Sequence, residues 1–322
     1  MNSQPSLKVK DLRTYFKLSR PHPFAEQPTV YAVDGVSFEI ERGRTFGLVG
    51  ESGCGKSTTA LSVLRLVEPT SGSVILKGTD ICQLDEIGLR RYRRHMQIVF
   101  QDPYSSMNPR KTAGEIIKSP LKIQKIGTPQ EQDERVRELL KVVGLRPEQL
   151  NLYPHQFSGG QRQRICVARA LAPNPDFIVC DEPVSALDVA IQSQILNLLV
   201  RLQHEFDLTY LFISHDMAVV QHICDDIAVM YLGKIVEKTD RRSLFLNVKH
   251  PYTKALLAAV PTTEIKTKDS SAPLKGDVPS PMNPPSGCRF HTRCPLAEAR
   301  CVKEEPFLEE ILPNHWVACH LA

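Results

Sequence analysis

Short apolar runs recur along this chain, and each stops at a glycine or a polar residue. Thr45–Val49, Gln97–Phe100, Phe177–Cys180 and Tyr210–Ile213 are four of them. Their length and their β-branched and aromatic content predict buried strands. Val36, Phe38 and Ile40 instead alternate with Ser37 and Glu39, which predicts a half-buried strand in an antiparallel layer beside the main sheet. Helical periodicity governs Ser57–Val67 and Ala190–Phe206, and residues from about 101 to 157 predict a helical insertion. The clearest helix there has Thr128 as N-cap, Pro129 in the first turn and Glu131 closing a capping box. Val136, Leu139, Leu140 and Val143 share its apolar face, and Gly144 ends it.

The polar residues at the strand ends carry the candidate chemistry. Between the Thr45–Val49 strand and the Ser57–Val67 helix lies GESGCGKS. Its glycines let successive N–H groups converge on phosphate oxygens at a helix N-terminus. Gly50, Glu51, Ser52, Gly53, Cys54, Gly55, Lys56, Ser57 and Thr58 form the expected nucleotide-binding set. Lys56 supplies a point charge for the β- and γ-phosphates, and Ser57 a hydroxyl for Mg²⁺. Phe177–Cys180 delivers Asp181 and Glu182 at the carboxyl end of a strand, where ligands of open α/β sheets bind. Asp181 is expected in the Mg²⁺ shell, and Glu182 as the base for an attacking water.

A third segment, FSGGQRQR at Phe157–Arg164, turns a general phosphate site into a family. It resembles the signature of ATP-binding cassette (ABC) proteins, with Phe157 in place of the commoner leucine. The resemblance implies an α/β fold: a P-loop NTPase (RecA-like) core, an antiparallel β subdomain and an inserted α-helical subdomain. It also implies that two cassettes pack head to tail, so that Ser158, Gly159, Gly160 and Gln161 of one close over nucleotide held by the other. Gln101 resembles the family's hinge glutamine, which senses Mg²⁺ and the attacking water, and His215 its switch histidine. SALD at Ser185–Asp188 resembles the loop that communicates across the dimer, and Asp188 also fits an N-cap for the next helix. Adenine is expected to stack on an aromatic side chain of the antiparallel layer. Tyr15 is the first choice and Tyr31 its rival, because Lys17–Thr29 reads as an inserted loop.

The last quarter changes the picture again. Ten of the chain's 24 prolines fall between Pro251 and Pro313, so regular structure there is expected to be short. His250–Pro261 and Gly276–Pro295 resemble the C-terminal extension of ATPase subunits from oligopeptide and dipeptide (peptide/nickel) importers. The domains expected are a nucleotide-binding domain over 1–245, with its helical insertion at about 101–157, and an irregular extension over 246–322. Cys288, Cys294, Cys301 and Cys319 place four of the nine cysteines in the extension. Clustered thiols in a cytosolic chain point to metal ligation, and four satisfy either Zn²⁺ or a [4Fe–4S] cluster. The spacings lack C-x₂-C pairs, and the resembled proteins carry [4Fe–4S] there. His291, His315 and His320 keep zinc open.

Composition adds exclusions. The net charge of +4 is too small and too dispersed to argue for nucleic acid, which is not an expected partner, and the basic cluster Arg90–Arg94 reads as a solvated helix face. No apolar run is long enough to span a bilayer, and the first residues lack the apolar core of a signal peptide. What the resemblance implies is an ATPase subunit on the cytoplasmic face of the bacterial inner membrane. Its expected partners are a second ATPase subunit (a heterodimer favoured over a homodimer), two transmembrane permease subunits and an extracytoplasmic substrate-binding protein. Di- or oligopeptides are the expected cargo, with a nickel complex, an opine or an oligosaccharide as alternatives. A soluble ABC ATPase acting on nucleic acid or ribosomes is the alternative from another class.

Overall fold

The computed structural model describes residues 5–20, 27–259 and 276–322. Residues 21–26 of the loop expected between Lys17 and Thr29, and the end of the 250–261 segment, lie outside the described residues. The chain divides into two compact units that interleave in sequence. One contains Ile40–Arg44 and Gln83–Phe212, the other Leu7–Glu39, Thr45–Cys82 and Ile213–Ala322.

The first unit is organised around one helix, Gly159–Leu171. Its buried face, Ile165, Cys166, Val167, Ala168, Ala170 and Leu171, packs against the Met96–Val99 strand and the helices Ala113–Gln124, Pro129–Val142 and Val189–Phe206. Met96–Val99 runs parallel to Phe177–Asp181, with Gln97 opposite Ile178. Pro129–Val142 starts as expected: the Thr128 hydroxyl accepts from the Glu131 N–H at 3.3 Å, and the Glu131 carboxylate accepts from the Thr128 N–H at 2.6 Å. Its end is also as expected, with Gly144 at φ 76° and Leu145 N–H reaching back to Leu140 O at 2.8 Å. Val136, Leu139 and Leu140 are buried, each contributing on the order of 2 kcal/mol. Arg90, Arg91, Arg93 and Arg94 are exposed, as a solvated face requires.

The second unit holds two sheets. One has the order Thr29–Ile40, Leu7–Lys17, Ser71–Leu76, Thr79–Asp80, and Leu7–Lys17 pairs antiparallel with Ser71–Leu76. In the other, Thr45–Val49 lies parallel to Asp226–Tyr231, which pairs antiparallel with Lys234–Asp240. The C-terminal strands Glu309–Leu312 and His315–Val317 extend this sheet, with Val317 opposite Glu237. The extension is therefore bound to the unit by backbone as well as by side chains.

One helix is shorter than its periodicity predicts. Ser57–Val67 was expected, and the helix is Lys56–Val63. The chain leaves it through a Schellman turn, in which Leu66 N–H bonds Leu61 O at 2.8 Å and Arg65 N–H bonds Ser62 O at 3.0 Å. Arg65 takes the left-handed conformation (φ 51°) that glycine usually fills, so the stop carries no glycine signal in the sequence. Its guanidinium holds Ile81 O at 3.0 Å and Glu68, which fixes the turn.

Candidate nucleotide site

The phosphate loop lies in the second unit, between a wholly buried strand and a helix N-terminus. Gly50 (φ 152°) and Gly55 (φ 107°) are the constrained positions. A Cβ on Gly50 would stand 2.2 Å from Met230 O, and one on Gly55 2.1 Å from Ala32 O. Lys56, 5% exposed, donates from Nζ to Gly50 O at 2.8 Å and Glu51 O at 2.9 Å. Its ammonium therefore lies on the loop's own carbonyls. Ser52, Gly53 and Ser57 are exposed, Thr58 is half-buried, and Cys54 is buried, its thiol pushed up by desolvation. His215 is exposed, just past the Thr209–Ser214 strand.

Tyr15 and Tyr31 stand edge to face, ring centroids 4.9 Å apart, and both are half-buried. Tyr15 donates its hydroxyl to Asp34 at 2.5 Å. Burial first and then the Asp34 hydrogen bond push its pKa up to about 12. The phenol is thus fixed on Asp34, and the two rival tyrosines form a single aromatic site.

The catalytic candidates of the first unit come together. Gln101 Nε2 donates to Glu182 Oε2 at 2.9 Å. Asp181 is half-buried at the end of its strand, and Glu182, immediately after it, holds φ 45°. A left-handed non-glycine backbone costs on the order of 1 kcal/mol, and such strain clusters at functional sites. Ser185 donates both N–H and hydroxyl to Glu182 O, at 3.3 and 3.1 Å, and so retains the turn.

Ser158 caps the Gly159–Leu171 helix with a full capping box. The Gln161 carboxamide accepts from Ser158 N–H at 3.0 Å, and the Ser158 hydroxyl accepts from Gln161 N–H at 3.4 Å. Asp188 caps the Val189–Phe206 helix, accepting from Ile191 N–H at 3.0 Å. Sequence reasoning missed one constraint: a Cβ on Gly160 would lie 2.5 Å from Ile191 Cγ2, so a larger residue there would have to displace the Ile191 side chain. It also missed the arginines around the signature. Arg162 Nε donates to Pro154 O at 2.7 Å and its guanidinium covers the Tyr104 ring at 3.7 Å. Arg164 holds Val143 O at 2.6 Å, and Arg169 holds Ser106 O. The loop after Gln101 and the end of the Pro129–Val142 helix are therefore strapped to the signature helix.

In the extension, Cys288, Cys294, Cys301 and Cys319 are all free thiols. Gly287 (φ 63°) lets the chain pass so close that a Cβ would meet Cys301 O at 2.5 Å, and Cys288 N–H bonds that same oxygen at 2.8 Å. Burial pushes the Cys288 thiol up to about 11, and the other three thiols push the same way. Cys294 and Cys319 shift upward too, and both feel Cys301. Among the described residues no group of three or more His, Cys, Asp or Glu is placed to hold a single metal ion. His291 Nδ1 lies 2.8 Å from Cys288 O, His315 Nε2 2.7 Å from Glu237 Oε1 and His320 Nε2 3.0 Å from Glu304 O. No helix among the described residues is long and apolar enough to cross a membrane.

Comparison with known proteins separates two segments. Residues 33–185 match the ABC transporter family model, and residues 236–301 match the C-terminal region of oligopeptide/dipeptide transporters. Along nearly its whole length the chain is 52% identical to the oligopeptide transport ATP-binding protein AppF of Bacillus subtilis, covering 99% of this chain and 98% of that one. It is 51% identical to the putative oligopeptide transport ATP-binding protein YkfD of the same organism, over 100% and 97% of the two chains. Among solved structures, the ATP-binding cassette MJ0796, a dimer in a post-hydrolysis state bound to ADP and phosphate, is similar. The TM-score is 0.64 at 31% identity, covering 73% of this chain and 99% of that one.

Proposed function

The chain belongs to the ATP-binding subunits of ABC transporters of the oligopeptide/dipeptide type, and from that premise we propose that it powers the uptake of di- and oligopeptides. It is an ATP-hydrolysing enzyme. One observation carries the cargo and the direction: a complete phosphate loop and an oligopeptide-type C-terminal region occur on the same chain. A nucleotide-binding domain over 1–245, with the helical insertion at 101–157, and an extension over 246–322 are the functional parts of this reading. The protein would work at the cytoplasmic face of the membrane with a second, different ATPase subunit, two permease subunits and an extracytoplasmic binding protein. The helical insertion, on which Tyr104, Ile123 and Tyr153 are exposed, would be the part that meets a permease.

The chemistry follows from the residues. The loop N–H groups and Lys56 bind the β- and γ-phosphates, and the aromatic pair Tyr15 and Tyr31 receives adenine. Ser57, Gln101 and Asp181 would hold Mg²⁺, which screens phosphate charge. Glu182 takes a proton from the water that attacks the γ-phosphorus, the bond to ADP breaks, and inorganic phosphate leaves. Gln101 holds the Glu182 carboxylate by its amide, and His215 contacts the γ-phosphate. Ser158, Gly159, Gly160 and Gln161 cap nucleotide held by the partner ATPase, and Asp188 relays between the two. The arginine straps carry any motion of the Gln101 loop to the signature helix.

The four cysteines are proposed to hold a [4Fe–4S] cluster that staples the extension. What supports this reading is that all four thiols are free and that Cys288, whose N–H bonds Cys301 O at 2.8 Å, lies near enough to feel the other three. Thiols must release protons to become ligands, so assembly should weaken as pH falls. Anaerobic purification is expected to give stoichiometric iron and sulfide. Zinc alone in the metal analysis overturns this assignment.

The function itself is tested by Glu182→Gln. Turnover should fall about 10²–10⁴-fold while ATP affinity stays, and the protein should co-purify in detergent with two membrane subunits. Near-normal hydrolysis by that variant removes Glu182 as base, and failure to restore peptide uptake to a deletion strain removes the cargo.

A further inference from the structure

The extension does more than decorate the second unit, because two of its residues grip the phosphate loop itself. Glu51 is the second residue of that loop, and all three of its polar groups are engaged. Its N–H donates to the Tyr252 hydroxyl at 2.8 Å, its carbonyl accepts from Lys56 Nζ at 2.9 Å, and its carboxylate accepts two hydrogen bonds from Arg293, at 2.6 and 3.0 Å. The N–H of Glu51 is thereby already committed to Tyr252, and the loop acquires a rear anchor.

The anchor is rigid. Tyr252 is fully buried against Tyr231 and Phe290, with ring centroids 4.7 and 5.3 Å away. Phe290 is 1% exposed, and the Arg293 side chain 6%. The Arg293 guanidinium also lies over the Tyr231 ring, 5.9 Å from its centroid. A bidentate pair on a buried arginine is geometrically specific in a way that a flexible surface pair is not.

Charge gives the anchor its function. Glu51 brings a carboxylate into the loop whose lysine must meet a polyanion, and that lysine already bonds the Glu51 carbonyl. Left alone, that charge would oppose the phosphates, and it would compete for Lys56. Arg293 cancels it. We infer that Arg293 is a positioning residue for nucleotide binding: it neutralises and fixes Glu51, so that the oligopeptide-type extension forms part of the ATP site. This holds whatever the neighbouring cysteines ligate.

The test is a double-mutant cycle on the full-length chain, reading the Kd of MgADP by calorimetry. Arg293→Ala should weaken MgADP on the order of tenfold by leaving Glu51 unpaired, and adding Glu51→Gln should restore affinity to within about threefold of wild type. The penalty should shrink in high salt, as an uncompensated charge requires. Arg300→Ala, which removes an exposed extension charge paired with Glu304, should leave Kd unchanged. Should Arg293→Ala fail to fold, Arg293→Gln keeps part of the stem and an amide donor and should lose about fivefold, with the same rescue by Glu51→Gln. The inference is overturned if Arg293 variants bind like wild type, or if the added Glu51→Gln fails to rescue them. Binding of MgADP by the wild type is measured in the same experiment, so a failure of the nucleotide site itself is recognised separately.

Discussion

The phosphate loop and the C-terminal extension belong to the same unit and touch one another, yet they are built by opposite means. The loop is a backbone construction. At Gly50 and Gly55 neighbouring carbonyls stand where a Cβ would go, so the sequence there is nearly dictated by the path of the chain. Apart from Gly287, where a Cβ would meet Cys301 O at 2.5 Å, and the strand pairing of Val317 with Glu237, the extension is a side-chain construction. Its strands are three and four residues long, and what fixes it are pairings such as His315 with Glu237, Arg293 with Glu51 and Arg289 with Asp34. The difference teaches where tolerance lies: the loop fails at a single methyl group, whereas the extension fails when a partner far away in sequence is removed.

The largest effect should come from breaking the loop's half of that contrast. Gly55→Ala would drive a methyl group onto Ala32 O and Met230 Cε, at 2.1 and 2.8 Å, in a backbone conformation that L-residues avoid. The backbone has to move, which costs about 3 kcal/mol or more, and nucleotide binding should be lost with it. Thermal unfolding and MgADP titration check this together. Normal binding in this variant would mean that the loop is as tolerant as the extension.

The same contrast explains what could be read from sequence. Strands, the loop and the Thr128 cap obey rules that operate within a few residues; the loop and the cap appear where the pattern put them, and the strands to within one residue. The Schellman stop at Arg65 was hidden because its left-handed residue is not glycine. Gly160 reads as an opening for nucleotide, and Ile191, thirty-one positions onward, also packs where its Cβ would go. Arg293 and Glu51 are separated by 242 positions, and Arg289 and Asp34 by 255. A pairing at that range leaves no local periodicity, cap or turn signal. Four cysteines could be noticed by their density, while the aromatic plug of Tyr231, Tyr252 and Phe290 could not.

A middle-sized effect should appear where the extension joins its sheet. Glu237 is fully buried and accepts from Lys249 N–H at 2.8 Å, His250 N–H at 3.0 Å and His315 Nε2 at 2.7 Å. Glu237→Gln would turn an amide NH₂ toward one of these donors and remove the charge, costing about 2–3 kcal/mol. Limited proteolysis should then cut the extension faster than the rest of the chain. Uniform cutting rates would show that the strand pairing of Glu237 with Val317, and not the buried pair, holds the extension.

The smallest effect is the most specific, because it concerns protons alone. His250 is 1% exposed, caps the Pro251–Ala258 helix by accepting from Tyr252 N–H at 3.1 Å, and packs on Phe290 with ring centroids 5.7 Å apart. Desolvation, aided by Lys254, lowers its pKa from 6.5 to about 3. The unfolded chain therefore takes up a proton below about pH 6.5 that the folded chain refuses. Stability from this group is fully present above that pH and declines toward pH 3, by about 2 kcal/mol at pH 5. His250→Asn keeps a capping oxygen and removes the titration. The variant starts less stable at pH 7, since it loses the contact with Phe290, but its urea midpoint should fall less than that of the wild type between pH 7 and pH 5. Other titrating groups are common to both proteins and cancel in the difference. Parallel declines would place the acid sensitivity elsewhere and leave the aromatic plug around Tyr252 indifferent to pH.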